Sequence, residues 1–192
     1  MNLPPLILAS GSPRRSELLR GMGVSFSVLQ SDAEEIHNEQ MTATEISQLN
    51  AYRKARAVAK KFPDSLVLGA DTLVYLGTTL FGKPRDAEDA YRMLKQLQGK
   101  KHEVVTGVCL LRLRGHRQTI FAESTEVKFR PLGVKEIRDY LSRINPLDKA
   151  GAYAIQEHGN KVVECISGSL SNVIGLPVER LSEELRAWEN TQ

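Results

Sequence analysis

The chain has 192 residues, 41% of them hydrophobic and 26% charged, which is ordinary for a soluble globular protein of one large or two small domains and unlike a disordered chain. Its 26 basic and 23 acidic residues leave a net charge of +3, too small for wholesale nucleic-acid binding although a local basic site remains open. The longest apolar run, 3–9, is broken by Pro4 and Pro5 and falls far below the ~20 residues of a membrane span; it also lacks the charged start of a signal peptide, so a cytoplasmic protein is expected. Two cysteines, Cys109 and Cys165, form neither a disulfide framework nor a zinc site, and their apolar surroundings predict buried small hydrophobes.

Leu6-Ile7-Leu8-Ala9 has the character of a buried strand running into a tight turn at Ser10-Gly11. Ser12 as N-cap and Pro13 as first helical residue then predict a helix to about 22, burying Leu18, Leu19 and Met22, with Gly21 and Gly23 as stop signals. Its first turn carries Arg14 and Arg15, where the positive end of the helix dipole disfavours each cation by roughly 0.3–1 kcal/mol. Free backbone N–H groups, Gly11, the hydroxyls of Ser10 and Ser12 and two guanidinium forks describe a phosphate cradle at a helix N-terminus. The plainer alternative is a capped helix with solvated arginines.

A strand at 25–29 and an acidic polar loop, 31–35, precede a second helix. That helix opens on Thr42-Ala43-Thr44-Glu45, the spacing of a capping box, and runs to about 61. Ile46, Leu49, Ala57 and Val58 form its apolar stripe, and Lys54 falls inside the stripe, so it either snorkels to the surface or meets a partner. Residues 65–70 predict a short buried strand with Asp71 at its C-terminal end, where open α/β sheets place their ligands. Asp71 is the leading candidate carboxylate. A small hairpin, 73–76 with 79–81 about Gly77-Thr78, delivers Lys83 to a loop, and Asp86 caps a third helix with Ala90, Met93, Leu94 and Leu97 inward and its end at Gly99.

Two long alternating strands, 102–112 and 118–129, flank Arg114-Gly115-His116. A helix at 134–144 ends at Asn145-Pro146, and 148–156, too polar for a core strand, predicts a binding loop. A strand at 161–166, a hydroxyl-rich turn at 167–172 and a helix from Pro177 carrying Val178, Leu181, Leu185 and Trp188 close the chain. Parallel-type crossovers mixed with hairpins predict one α/β domain over 1–192, on a twisted mixed β-sheet with flanking helices and a cleft between two lobes.

The four histidines never stand in ligand spacing, and neither HExxH nor paired CxxC is present, which argues against a tight zinc site. Asp71, Glu34 and Glu35 are hard oxygen ligands suited to Mg2+ or Mn2+ held jointly with substrate phosphates. No GxSxG elbow, Walker loop or GxGxxG occurs. A phosphate substrate, cations to bind it and a carboxylate remain.

Six segments taken together resemble the Maf nucleotide pyrophosphatase family: ASGSPRR from Ala9, GADT from Gly69, GKP from Gly82, HEVVTGV from His102, GAYAIQ from Gly151 and NVIGLP from Asn172. They follow the family's order and cover nearly the whole chain. The resemblance implies a cytoplasmic, typically dimeric enzyme, shaped like the inosine triphosphate pyrophosphatases, that uses a divalent cation to cleave a nucleoside triphosphate between its α and β phosphates. It implies that Ser10 and Arg15 bind phosphate, that Lys54 and Lys83 neutralise the triphosphate, that Glu35, rather than Glu34, and Asp71 hold the metal, and that Asp71 accepts the proton of the attacking water. Arg14, Thr72 and Gln156 match the subgroup acting on dTTP and UTP, whereas the 7-methyl-GTP subgroup carries Trp, Gln and Glu there. An Arg donor and an amphoteric Gln amide match the carbonyl, N–H, carbonyl edge of uracil or thymine. His158 departs from the family pattern, which has a small or apolar residue there. The alternatives are a nucleotide-binding regulator of cell division without turnover, and a pyrophosphatase with another base preference.

Overall fold

A computed structural model of the chain describes residues 4–38 and 40–189; Leu3, where the apolar run opens, lies outside them. The fold is α/β, with a seven-stranded mixed sheet and flanking helices, in the strand order β2-β1-β3-β5-β6-β7 with β4 paired to β3. In chain order the elements are β1 (Leu6–Leu8), α1 (Pro13–Gly21), β2 (Phe26–Val28), α2 (Ala43–Ala59), β3 (Leu66–Leu76), β4 (Thr79–Phe81), α3 (Ala87–Leu97), β5 (Lys101–Arg112), β6 (Arg117–Phe129), α4 (Val134–Leu141), β7 (Val163–Ser167), α5 (Leu170–Ile174) and α6 (Val178–Glu189). The described residues of 1–71, 106–123 and 175–192 form one compact unit, and those of 72–105 and 124–174 a second.

In the first unit β1 lies parallel to both β2 and β3, with Leu8 beside Val28 and Leu68. Strand alternation sends successive side chains to opposite faces; in β1 and in Leu66–Leu68 of β3 both faces are buried, which is why these stretches are apolar throughout, whereas the flanking strand β2 leaves Ser27 and Val28 exposed. Leu6, Leu8, Leu66, Leu68, Val108 and Leu110 pack with Leu19 of α1 and with Leu181, Leu185 and Trp188 of α6. Ile7, Val67, Cys109 and Leu111 point the other way, against Ala51, Ala55, Val58 and Ala59 of α2. The capping box on α2 forms as its spacing predicts: the Thr42 hydroxyl accepts from the Glu45 N–H, and the Thr42 N–H donates to the Glu45 carboxylate. Its inward stripe differs from the expected one. Leu49 and Ala57 are only half-buried, and the seam is Ile46, Ser47, Asn50, Ala51, Ala55, Val58 and Ala59.

Small residues form that seam because the helix lies against glycines. A Cβ built on Gly69 would stand 2.2 Å from the Ala51 carbonyl oxygen, and one on Gly107 would stand 2.2 Å from the Ser47 carbonyl carbon. Glycine within a strand here permits direct approach of helix backbone to sheet.

The second unit packs α3 (Ala90, Leu94, Leu97) and α4 (Ile137, Tyr140) over Val74, Phe81, Val104, Val127 and Phe129. Asp86 caps α3 by accepting from the Asp89 N–H, as its position predicts. The stretch 148–156 is irregular, as expected of a loop, yet Ala152, Tyr153 and Ala154 are buried in this core rather than forming an open loop. The Tyr140 hydroxyl ties it down by donating to the Ala154 carbonyl and accepting from the Ala154 N–H, both at 3.1 Å. Helix α4 stops at Leu141, before the expected 144, and part of the hydroxyl-rich turn is the short helix α5. Cys109 is buried, whereas Cys165 is exposed on β7, which overturns the expectation of two buried thiols. A bulge between Lys128 and Phe129 shifts the β6–β7 register, so that Val163 and Ile166 meet the core while Cys165, opposite Lys128, does not.

His102 is 2% exposed in the same core. It makes edge-to-face contacts with Phe129 and Tyr153, and its Nε2 lies 2.9 Å from the Tyr153 hydroxyl. Burial lowers its pKa from 6.5 to about 4; a second proton would create a buried N–H at Nδ1, which has no partner among the described residues. The unfolded chain takes up this proton near pH 6.5 and the folded chain only near pH 4. The stability it contributes is therefore complete above pH 6.5 and is lost as pH falls through that window. Urea unfolding should show the stability gap between wild type and His102→Phe shrinking by about 3 kcal/mol from pH 7 to pH 4; a pH-independent gap would refute the buried neutral imidazole.

Candidate active site

Strand β1 ends where the chain turns through Ala9 and Ser10 into α1. Ser12 stands at the N-cap with extended backbone, but its side chain does not cap. Ser10 instead organises the turn, its Oγ accepting from the Ser12 N–H and from Arg15 Nη1, both at 3.2 Å. Arg15 also donates from Nε to the Gly175 carbonyl at 2.8 Å, which fixes the guanidinium at the start of the helix. Burial pulls the Arg15 pKa down, the charge of Asp71 opposes this, Arg14 adds to the lowering and Glu35 opposes it. The two predicted phosphate-cradle residues thus share a direct contact, in the field of both predicted carboxylates.

Asp71 is not at a strand end. It sits in the middle of β3, which continues unbroken to Leu76. The register explains the misreading: β1 pairs only with Leu66 to Leu68, and β4 joins only from Val74, so Asp71 lies where β3 has left one partner and has not met the next. Its side chain is 5% exposed and Lys54 Nζ stands 2.6 Å from Oδ1. The same ammonium lies 2.7 Å from Glu35 Oε1. The inward lysine of α2 is thus a bridge between two carboxylates, 13% exposed, and not a snorkelling side chain.

Asn50, one helical turn before Lys54 and 1% exposed, also reaches Asp71: its Nδ2 donates to Oδ2 at 3.1 Å. No motif in the sequence marks this residue. Its signal was a polar side chain at a seam position, the same signal that singled out Lys54. Glu34, the carboxylate set aside in favour of Glu35, contributes its backbone carbonyl to Arg53 Nε at 3.3 Å.

The remaining predicted residues, Thr72, Lys83 and Gln156, belong to the second unit. Lys83 is exposed in the loop after β4, and the carbonyl of its neighbour Gly82 accepts from the Gly151 N–H at 3.0 Å. Gln156 is exposed at the end of the packed segment that begins there. Gly151 has φ of +70°, which an L side chain rarely adopts, and glycine is needed to turn the chain at this contact.

Among the described residues no group of three or more His, Cys, Asp and Glu side chains is placed to hold a metal ion. No helix of the described chain is long and apolar enough to cross a membrane. Two carboxylates thus share one ammonium in the same unit as a helix N-terminus that carries two arginines.

The chain belongs to the family described as Maf-like protein, whose model matches residues 5–188. Among its curated relatives, a "dTTP/UTP pyrophosphatase" of Akkermansia muciniphila is 47% identical over 92% of each chain. Proteins of the same name from Acetivibrio thermocellus and Halalkalibacterium halodurans are each 46% identical, over 94% and 96% of each chain respectively.

Proposed function

We propose that this chain hydrolyses dTTP and UTP to the monophosphate and pyrophosphate, working as one catalytic domain over 1–192. The observation that carries this reading is the shared ammonium of Lys54, 2.6 Å from Asp71 and 2.7 Å from Glu35, in the same unit as the Ser10–Arg15 cradle. The names of the relatives support the reaction and the two bases.

In this reading Ser10 and Arg15 take the phosphate oxygens, helped by N–H groups at the start of α1. Lys54 and Lys83 offset the triphosphate charge that grows on the leaving pyrophosphate. Asp71, with one carboxylate oxygen on Lys54 and the other on Asn50, holds the attacking water and accepts its proton. Glu35 and Asp71 are the residues that would supply oxygen donors to Mg2+ or Mn2+. Two carboxylates with substrate phosphates completing the shell is a usual donor set for Mg2+, so these residues fit it. Bound there, the ion would neutralise phosphoryl charge in the transition state. Arg14, Thr72 and Gln156 select the base, and the family resemblance adds a homodimer in the cytoplasm.

A panel of canonical and modified nucleoside triphosphates assayed for pyrophosphate release tests this. With Mg2+ or Mn2+, dTTP and UTP should exceed purine triphosphates by roughly tenfold to hundredfold per mismatched buried contact, and EDTA should abolish release. Tight nucleotide binding without product over hours would refute the enzyme reading in favour of a sensor.

A further inference from the structure

The Asn50 carboxamide does more than touch Asp71. Its Oδ1 accepts from the Ile36 N–H at 2.7 Å, and its Nδ2 donates both to the Ile36 carbonyl and to Asp71 Oδ2, each at 3.1 Å. Every hydrogen-bonding feature of the amide nitrogen is therefore used. Turning the amide over would set donor against donor at the Ile36 N–H and oxygen against oxygen at the other two contacts, so the chemistry of the partners admits one orientation.

Ile36 directly follows Glu35. Asn50 and Lys54 stand four residues apart on one face of α2, and each binds a different oxygen of Asp71: Asn50 takes Oδ2 and Lys54 takes Oδ1. Lys54 also binds Glu35, which returns the path to Ile36 and to Asn50. The result is a closed ring of hydrogen bonds in which α2 holds both the Asp71 carboxylate and the loop that carries Glu35. The loop is tied to α2 by Arg53 and Lys54 as well, but only Asn50 holds both a backbone N–H and a backbone carbonyl of one loop residue and Asp71 at the same time.

We propose that Asn50 is a positioning residue, whose carboxamide clamps the loop bearing Glu35 to Asp71 and thereby sets the spacing and plane of the two carboxylates that share Lys54. This rests on the pyrophosphatase reading for its consequence in turnover, though not for the clamp itself. Asn50 acts through the Asp71 carboxylate and through the backbone of the loop, not on the substrate itself. A displacement of about 1 Å in a group that orients the attacking water costs on the order of 10²-fold in rate.

Two variants test it. Asn50→Ala removes all three hydrogen bonds; Asn50→Asp keeps the acceptor facing the Ile36 N–H and removes both donors. Each should lower kcat by about 10²-fold with KM within about threefold of wild type, the pattern of a group that acts only in the transition state. Amide hydrogen exchange of the 31–38 peptide, measured without substrate, should quicken in Asn50→Ala. Should Asn50→Ala not fold, Asn50→Asp carries the kcat comparison alone. A lower melting temperature with kcat per folded molecule unchanged would overturn the positioning role, as would unchanged exchange in the 31–38 peptide of Asn50→Ala. If wild type itself releases no pyrophosphate from any triphosphate, the reading of the activity falls, while the exchange experiment still decides whether Asn50 clamps the loop.

Discussion

Replacing Asp71 with Asn is expected to lower pyrophosphate release from dTTP by at least 10²–10³-fold, on the order of the loss when one preorganised catalytic group is removed. The substitution is close to isosteric, so it isolates the charge and the basic oxygen from the packing. A carboxamide can still accept from Asn50 through an oxygen, but it can neither take a proton from water nor balance the Lys54 ammonium. Stability should suffer less than is usual for half of a buried ion pair, which is about 3–5 kcal/mol, because Lys54 keeps Glu35 at 2.7 Å. Steady-state assays on the variant, paired with a thermal melt, separate the two effects. A folded Asp71→Asn protein with activity near wild type would remove Asp71 from the role of proton acceptor.

Why Asp71 was legible in the sequence, although its strand was misplaced, follows from two different physical signals. A carboxylate directly after Leu66 to Ala70 cannot be a core residue unless something compensates its charge, and an inward lysine on an amphipathic helix asks the same question from the other side. Those two anomalies turn out to be one ion pair. The length of β3 was illegible because Gly69-Ala70-Asp71-Thr72 breaks the apolar run, and the run of hydrophobicity records which partner covers a strand rather than whether the strand continues. Asn50 stayed hidden because an asparagine on a helix is ordinarily solvated, and only its partners, Ile36 and Asp71, show that it is not. Cys165 shows the opposite failure: neighbouring apolar residues suggested burial, but which face of β7 meets the core depends on register against β6, where Cys165 lies beside Lys128.

The glycines in β3 and β5 carry a readable sign of their own, since isolated glycine in a strand marks a close backbone approach. Gly107 makes the consequence testable. A Cβ there would lie 2.2 Å from the carbonyl carbon of Ser47, 2.4 Å from its oxygen and 2.5 Å from the Gln48 nitrogen, all backbone atoms of α2. No side-chain rotation relieves such contacts, so Gly107→Ala must move the helix or the strand. Overpacking costs about 1–3 kcal/mol where side chains can yield, and with a backbone wall the loss should reach the upper end of that range or exceed it. The activity of the folded fraction should fall as well. Asn50 and Lys54 ride on the same helix, three and seven residues beyond Ser47, so a helix pushed off the sheet by about 1 Å carries both away from Asp71 and should cost about 10²-fold in kcat. Gly107→Ala assayed well below its melting temperature checks this. If the folded variant keeps wild-type kcat, the catalytic geometry does not depend on how closely α2 is seated against the sheet.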